Sequence, residues 1–116
     1  MKKVCIILAA YNGAQWIEDQ INTILSQKKV KIDLFISDDR SDDNTYEIIK
    51  KIAKENKNVF FWKNKYKTGS ATQNFFILLN KVNFTKYDFI SLSDQDDLWN
   101  ANKLFRAIKM IKKKKN

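Results

Sequence analysis

Histidine is absent from the 116-residue chain, cysteine occurs once and glycine only twice. Each scarcity removes a class of chemistry. Without histidine, Ser-His and Cys-His catalysis and His-ligated zinc are all excluded within this chain. One cysteine closes no internal disulfide. Cys5 lies in the apolar run Val4-Cys5-Ile6-Ile7-Leu8, where it reads as a small buried hydrophobe suited to a reducing compartment. That run is followed by a single glycine, Gly13, in neither the G-x-G-x-x-G nor the G-x-x-x-x-G-K-S/T spacing, so dinucleotide oxidoreductases and P-loop kinases drop out. The same run is too short to span a bilayer, and Met1-Lys2-Lys3 reads as the start of a strand rather than a signal peptide. The expected location is cytoplasmic.

The chemistry left must run on carboxylates, hydroxyls, amides, amines or a metal held by oxygen. An apolar share of 44% and an aromatic share of 13% argue for a packed core, and the length suits one compact domain burying roughly 65% of its unfolded surface. The net charge of +9 invites a nucleic-acid reading, but twenty lysines against two arginines read bases poorly. Lys109 and Lys112 to Lys115 supply five of those positive charges, and no nucleic-acid module is recognisable. A lysine-rich solvated surface is the better account.

Hydrophobic periodicity alternates strand and helix four times. Lys3 to Ala9 reads as a strand covered on both faces. Residues 15–27 place Ile17, Ile21, Ile24 and Leu25 on one helical stripe, with Asn12 and Gln15 spaced as a capping box. Lys31 to Ser37 reads as a second strand. Ile48, Ile49, Ile52 and Ala53 form a second helical stripe, opened by Asn44 with Glu47. Val59 to Lys63 is a third strand and Asn64 to Gly69 a loop. Ser70 with Gln73 caps a third helix with Phe75, Leu78, Leu79 and Val82 inward. Tyr87 to Leu92 is a fourth strand, and a last helix from about Asn100 carries Leu104, Ile108 and Ile111 inward. Such βα units joined by right-handed crossovers predict an α/β fold: a three-layer open sheet of about four parallel strands, in the order 3-2-1-4 if the chain reverses direction after the third strand. Ligands of such sheets bind beyond the carboxyl ends of the strands, near the switch point between strands 1 and 4.

Three polar clusters fall at those ends: Ala9-Ala10-Tyr11-Asn12-Gly13, Asp38-Asp39-Arg40-Ser41-Asp42-Asp43, and Ser93-Asp94-Gln95-Asp96-Asp97. Seven of the ten aspartates lie in the last two clusters of a strongly basic chain, which surface solubility does not explain. Ionised Asp94, Asp96 and Asp97 held about 4 Å apart repel by roughly 4 kcal/mol per pair at an effective dielectric near 20, so they call for a cation. Oxygen donors without histidine or thiolate suit Mg²⁺ or Mn²⁺, which keep positions open for a diphosphate. Asp96 and Asp97 alternatively start the next helix, where the dipole favours acids. Asp39 is the candidate to meet a base or ribose at the tip of strand 2. Asp42, Asp43 and Asn44 fit capping and turn roles better.

Taken together, Ile7-Leu8-Ala9-Ala10-Tyr11-Asn12-Gly13, Ser37-Asp38-Asp39-Arg40-Ser41-Asp42-Asp43 and Ser93-Asp94-Gln95-Asp96-Asp97-Leu98-Trp99 resemble the family 2 glycosyltransferases of the GT-A fold, closest to the bacterial rhamnosyltransferase-like group. Asn64, Gly69, Asn74 and Phe75 also match that group. The resemblance implies inverting, metal-dependent transfer of a sugar from a UDP- or dTDP-sugar to an acceptor hydroxyl, in bacterial surface polysaccharide synthesis. The family's aspartate-x-aspartate motif maps onto Asp94-Gln95-Asp96, which makes Asp96 a metal ligand and leaves Asp94 to contact the ribose or share the metal. By the same mapping Asp39 meets the base, Tyr11 lies beside it, and Ala9 and Ala10 lend backbone contacts under the nucleoside. Asp97 and Trp99 remain candidates for the sugar pocket, although Trp99, following a loop at a helix start, reads more often as a packing anchor.

The family continues well beyond this motif into a part that supplies acceptor contacts and the general base, so residues 1–116 are expected to be the donor-binding part, with no catalytic base among them. The partners implied are the donor and a saccharide or lipid-linked acceptor. The Lys109 to Lys115 tail is a candidate for peripheral contact with the inner membrane face, against the plainer reading of a solvated terminus. A nucleotide-binding fragment or subunit without transferase activity of its own is the alternative. A phosphoacceptor signalling domain needs an acidic pair after strand 1 and an aspartate ending strand 3, where this chain has Ala9-Ala10-Tyr11 and Trp62-Lys63.

Overall fold

In the computed structural model, residues 1–93, 103, 104 and 108 are described. Four strands and three helices alternate: β1 (Lys2–Ala10), α1 (Ile17–Leu25), β2 (Val30–Asp38), α2 (Thr45–Glu55), β3 (Val59–Lys63), α3 (Ala71–Lys81) and β4 (Phe89–Ser93). All neighbouring strands run parallel, in the order β3-β2-β1-β4, as the crossover argument predicts. The order explains the layers. While the chain steps from β1 to β3 in one direction, right-handed crossovers keep α1 and α2 on one face. The return from β3 to β4 runs the opposite way and puts α3 on the other face.

Strand β1 lies between two neighbours and under both helical layers, so its side chains divide by parity. Val4, Ile6, Leu8 and Ala10 join Ile17, Ile21, Ile24 and Ile49 on the α1/α2 side, whereas Cys5 and Ile7 meet Leu78 and Val82 of α3. The uninterrupted apolar run of β1 follows from this double cover. Burial of Cys5 pushes its thiol up to about 12, as expected of a structural rather than a reactive cysteine. Leu104 and Ile108, helical and a turn apart, are buried in the α1/α2 cluster, matching the inward stripe expected of the last helix; Ile111 and the Lys109 to Lys115 tail lie outside the described residues.

Three local expectations need correction. Asn12 does not cap α1: its side-chain oxygen instead accepts from the backbone N–H of Asp42 at 2.7 Å, in another loop. Asn44 precedes α2 without a side-chain capping bond, and Asp43 takes the N–H of Thr45 at 3.0 Å in its place. Leu79, expected inward, is 41% exposed, while Asn74 on the same helix is buried. Only the Ser70 cap behaves as its spacing implies, its hydroxyl accepting from the N–H of Gln73 at 3.2 Å. Among the described residues, β4 is an edge strand whose Ile90 and Leu92 stay exposed on the α3 side, and no helix is long and apolar enough to cross a membrane.

The placement of α3 predicts unequal costs for adjacent leucines. Leu78→Ala should lower stability in urea unfolding by about 2–5 kcal/mol, while Leu79→Ala should cost under about 1 kcal/mol.

Candidate functional site

The register places the carboxyl ends of the strands on one rim: Ala10 pairs with Asp38, Asp38 with Lys63, and Leu8 with Ser93. Strand ends leave carbonyls and amides without ladder partners, and here side chains from distant loops take them up. Asn74, buried on α3, donates from Nδ2 to the carbonyl of Ser37 at 3.0 Å and lies 3.4 Å from that of Ala10. Its Oδ1 accepts from Asn64 Nδ2 at 2.8 Å. Ser37 Oγ sits 2.6 Å from the side-chain oxygens of both Asn64 and Asn74, so its one proton serves one at a time. Three strand ends and α3 are thereby tied by neutral amides and one hydroxyl.

Asp39 closes this network. Its Oδ1 accepts from the backbone N–H of Thr68 at 2.7 Å and from Asn64 Nδ2 at 3.1 Å. Its Oδ2 accepts from the Thr68 hydroxyl at 2.8 Å and from the N–H of Gly69 at 3.0 Å. Only 2% of the residue is exposed. Burial pushes the carboxyl pKa up, but the four donors together outweigh it and hold it below the usual carboxylate range. Gly69 reaches the carboxylate with φ at +74°, where a side chain would be strained even though a Cβ there meets nothing.

A second set of contacts lies nearer solvent. Lys67 Nζ stands 3.1 Å from the Tyr11 hydroxyl and 3.4 Å from Asp42 Oδ2, and 4.9 Å from the Tyr11 ring centroid. The Lys67 ammonium and then the Tyr11 hydroxyl hold the Asp42 carboxyl below its ordinary value. Asp38 accepts from the N–H of Ser41 at 3.1 Å, and Asp43 from the N–H of Ala14 at 3.2 Å. Asp42 and Asp43 thus serve the loops, as their turn-like context suggests.

Between these sets opens a cleft of about 410 Å³ lined by Ala9, Ala10, Tyr11 and Asp39, with Lys67, Gly69, Asn74 and Phe75 completing it. Four of the five residues that the resemblance assigns to the nucleotide, all but Asp94, therefore line one cleft. Asp94, Asp96, Asp97 and Trp99 lie outside the described residues; Ser93, which precedes them, is buried at the same rim. Among the described residues, no cluster of three or more acidic, histidine or cysteine side chains could hold a metal. Lys67, Thr68 and Gln20 carry no signal in the sequence, because no spacing rule links a residue to partners 25, 29, 56 or 73 positions away. A slightly larger cavity, about 450 Å³, lies at the opposite end among Lys3, Lys31, Asp33 and Tyr87. It sits at the amino ends of the strands, where open α/β sheets do not place their ligands.

Asp39 has a pH signature. Because its folded pKa is depressed, its contribution is fully present above the unfolded value near 3.9 and is lost as pH falls through the folded value. Asp39→Asn should cost about 1–3 kcal/mol at neutral pH, and the variant's stability should fall less steeply than wild type below about pH 4 in urea titrations.

The sequence model of Glycosyl transferase family 2 matches residues 5–116. The dTDP-rhamnosyl transferase RfbG of Shigella flexneri is 41% identical over 102 residues, spanning 87% of this chain and 35% of its own length. S. aureus TarS 1-349 in complex with UDP superposes with a TM-score of 0.81 at 23% identity, covering 96% of this chain and 32% of that one. The mannosyltransferase PcManGT from Pyrobaculum calidifontis, in complex with GDP-Man and Mn²⁺, gives 0.79 at 22% identity, over 91% of this chain and 31% of that one. The chain spans about a third of the length of each of these proteins. The structural likenesses show the GT-A fold, and with the family model running from residue 5 to 116 this chain belongs to glycosyl transferase family 2.

Proposed function

We propose that this chain is the donor-binding part of a glycosyltransferase, holding a nucleoside diphosphate sugar at the rim where β1 and β2 end. The observation that carries the reading is the cleft itself, whose wall unites Ala9, Ala10, Tyr11 and Asp39. UDP and dTDP are the first donors to consider, given the UDP held by TarS and the dTDP-rhamnosyl transferase name of RfbG. Ala9 and Ala10 offer backbone without side-chain bulk, so a nucleoside can approach closely, and Tyr11 offers a ring beside the base. All four acceptor directions of the Asp39 carboxylate already carry donors, so a base N–H gains access by replacing one of them, the loop donors of Thr68 and Gly69 being nearest the cleft.

The diphosphate end of the donor falls to the connection after Ser93. The donor set there is all oxygen, Asp94, Asp96 and Asp97, in a chain without histidine and with its one thiol buried, which fits Mg²⁺ or Mn²⁺. Asp96 and Asp94 would hold the ion; Asp97 and Trp99 would face the sugar. When bound, such an ion stabilises negative charge on the departing diphosphate. The Mn²⁺ of the PcManGT complex supports this. Transfer would invert the sugar and end on the hydroxyl of a saccharide or lipid-linked acceptor at the cytoplasmic membrane face, in surface polysaccharide synthesis. Acceptor contacts and the base that deprotonates the hydroxyl would come from polypeptide corresponding to the remaining two thirds of the relatives. A second reading is a nucleotide-binding unit with no transferase activity alone.

Calorimetry with UDP and dTDP, each with Mn²⁺ and with EDTA, tests the site. The expected result is binding of one of them that tightens with Mn²⁺ and loses only that gain in Asp96→Ala; no binding of either nucleotide would sink the assignment. A donor-hydrolysis assay on the 116-residue chain separates the two readings, turnover favouring the first.

A further inference from the structure

Two glutamines on and just after α1 put side-chain amides where an amphipathic helix would ordinarily put hydrocarbon. Gln20 is fully buried between the turns that carry Ile17, Ile21 and Ile24, and its Nε2 donates to Ser93 Oγ at 3.0 Å. Ser93, also fully buried, ends β4 and immediately precedes Asp94. Gln27, 7% exposed, accepts at Oε1 from the backbone N–H of Leu104 at 3.1 Å, and its Nε2 donates to the carbonyl of Thr23 at 3.2 Å. Leu104 lies on the far side of the acidic motif from Ser93 and is buried with Ile108 against α1. Helix α1 and the turn just after it thus hold the chain on both sides of the sequence that carries the aspartates.

The energetics argue for geometry rather than stability. A buried hydrogen bond adds little net stability, and an apolar pair of the same shape would serve stability about as well. What the amides add is direction: a hydrogen bond fixes the distance and orientation of Ser93 Oγ and of the Leu104 N–H, whereas an apolar contact tolerates sliding.

We propose that Gln20 and Gln27 are positioning residues for the donor metal: through Ser93 and Leu104 they anchor both ends of the connection that carries Asp94 and Asp96. The role rests on the reading of those aspartates given above. Neither glutamine touches donor or ion. Their effect passes through the backbone they hold.

The test uses the 116-residue chain, with UDP or dTDP as probe, whichever wild type binds more tightly, titrated in EDTA and in Mn²⁺, together with urea unfolding. Gln20→Met should keep the EDTA affinity within about twofold and lose about tenfold of the Mn²⁺-dependent gain, the range seen when supports of metal ligands are removed. Ser93→Ala should lose part of the same gain, and the loss in the double variant should be smaller than the sum of the two singles, because both remove the bond between Gln20 and Ser93. Urea unfolding of each variant shows that the chain is folded at the concentrations used for the titration, which separates the loss from misfolding. Gln27→Met should lose the gain in the same way. An unchanged Mn²⁺ gain in Gln20→Met, losses that add across the pair, or a normal gain in Gln27→Met would each overturn the two-ended anchoring while leaving the donor site standing. A wild-type chain with no Mn²⁺ gain marks instead the failure of the metal reading of Asp94 and Asp96, and this proposal falls with it.

Discussion

The rim depends on one buried carboxylate. Asp39 gathers two backbone N–H groups, a hydroxyl and an amide onto its two oxygens, and in doing so fastens the 64–70 loop to the tip of β2. Without that charge, the N–H groups of Thr68 and Gly69 would face a low-dielectric cleft unpaired, each at a cost of about 1–3 kcal/mol. Asn64 then carries the link onward to Ser37 and Asn74, and Asn74 to the carbonyls of Ala10 and Ser37. The cleft wall is therefore the surface of a continuous polar network rather than four residues that happen to be near one another.

That network divides the aspartates by use. Asp38, Asp39, Asp42 and Asp43 are occupied by donors of their own chain, and so are available to a ligand only by exchange. In sequence, the cluster Asp94-Gln95-Asp96-Asp97 that follows Ser93 contains the other concentration of carboxylates in a chain whose net charge is +9. Binding of a nucleoside diphosphate sugar would draw on both kinds: exchange at Asp39 for the base, and cation-mediated attraction at Asp94 and Asp96 for the diphosphate. Ser93 and Leu104, on either side of that cluster in sequence, are bonded to Gln20 of α1 and to Gln27 just after it, in the helical layer on the opposite side of β1 from α3.

Much of this was legible in the sequence, for physical reasons that also mark where legibility stops. The double cover of β1 is written in its uninterrupted apolar run and the stripes of α1 and α2 in apolar spacing, and the order of the strands follows from a reversal of direction after β3; these are local or topological rules. The Ser70 cap was readable because donor and acceptor lie three residues apart. Asn12 presents the same spacing to Gln15 yet bonds to Asp42, since a partner brought close by the fold competed successfully with a local one. Gln20 escaped notice because a polar residue on an apolar stripe declares no partner until Ser93 is seen beside it. Leu79 was assigned inward by periodicity alone, but α3 covers the sheet with a narrower face, on which buried Asn74 takes a place that hydrocarbon would otherwise fill.

The central claim is that a nucleoside diphosphate is held where β1 and β2 end, and backbone amide NMR of the isotope-labelled chain titrated with UDP or dTDP tests it most directly. The account predicts shifts concentrated at Ala9, Ala10, Tyr11, Asp39 and Gly69. Shifts clustered instead around Lys3, Lys31, Asp33 and Tyr87 at the other end of the sheet, in the larger cavity, would contradict it.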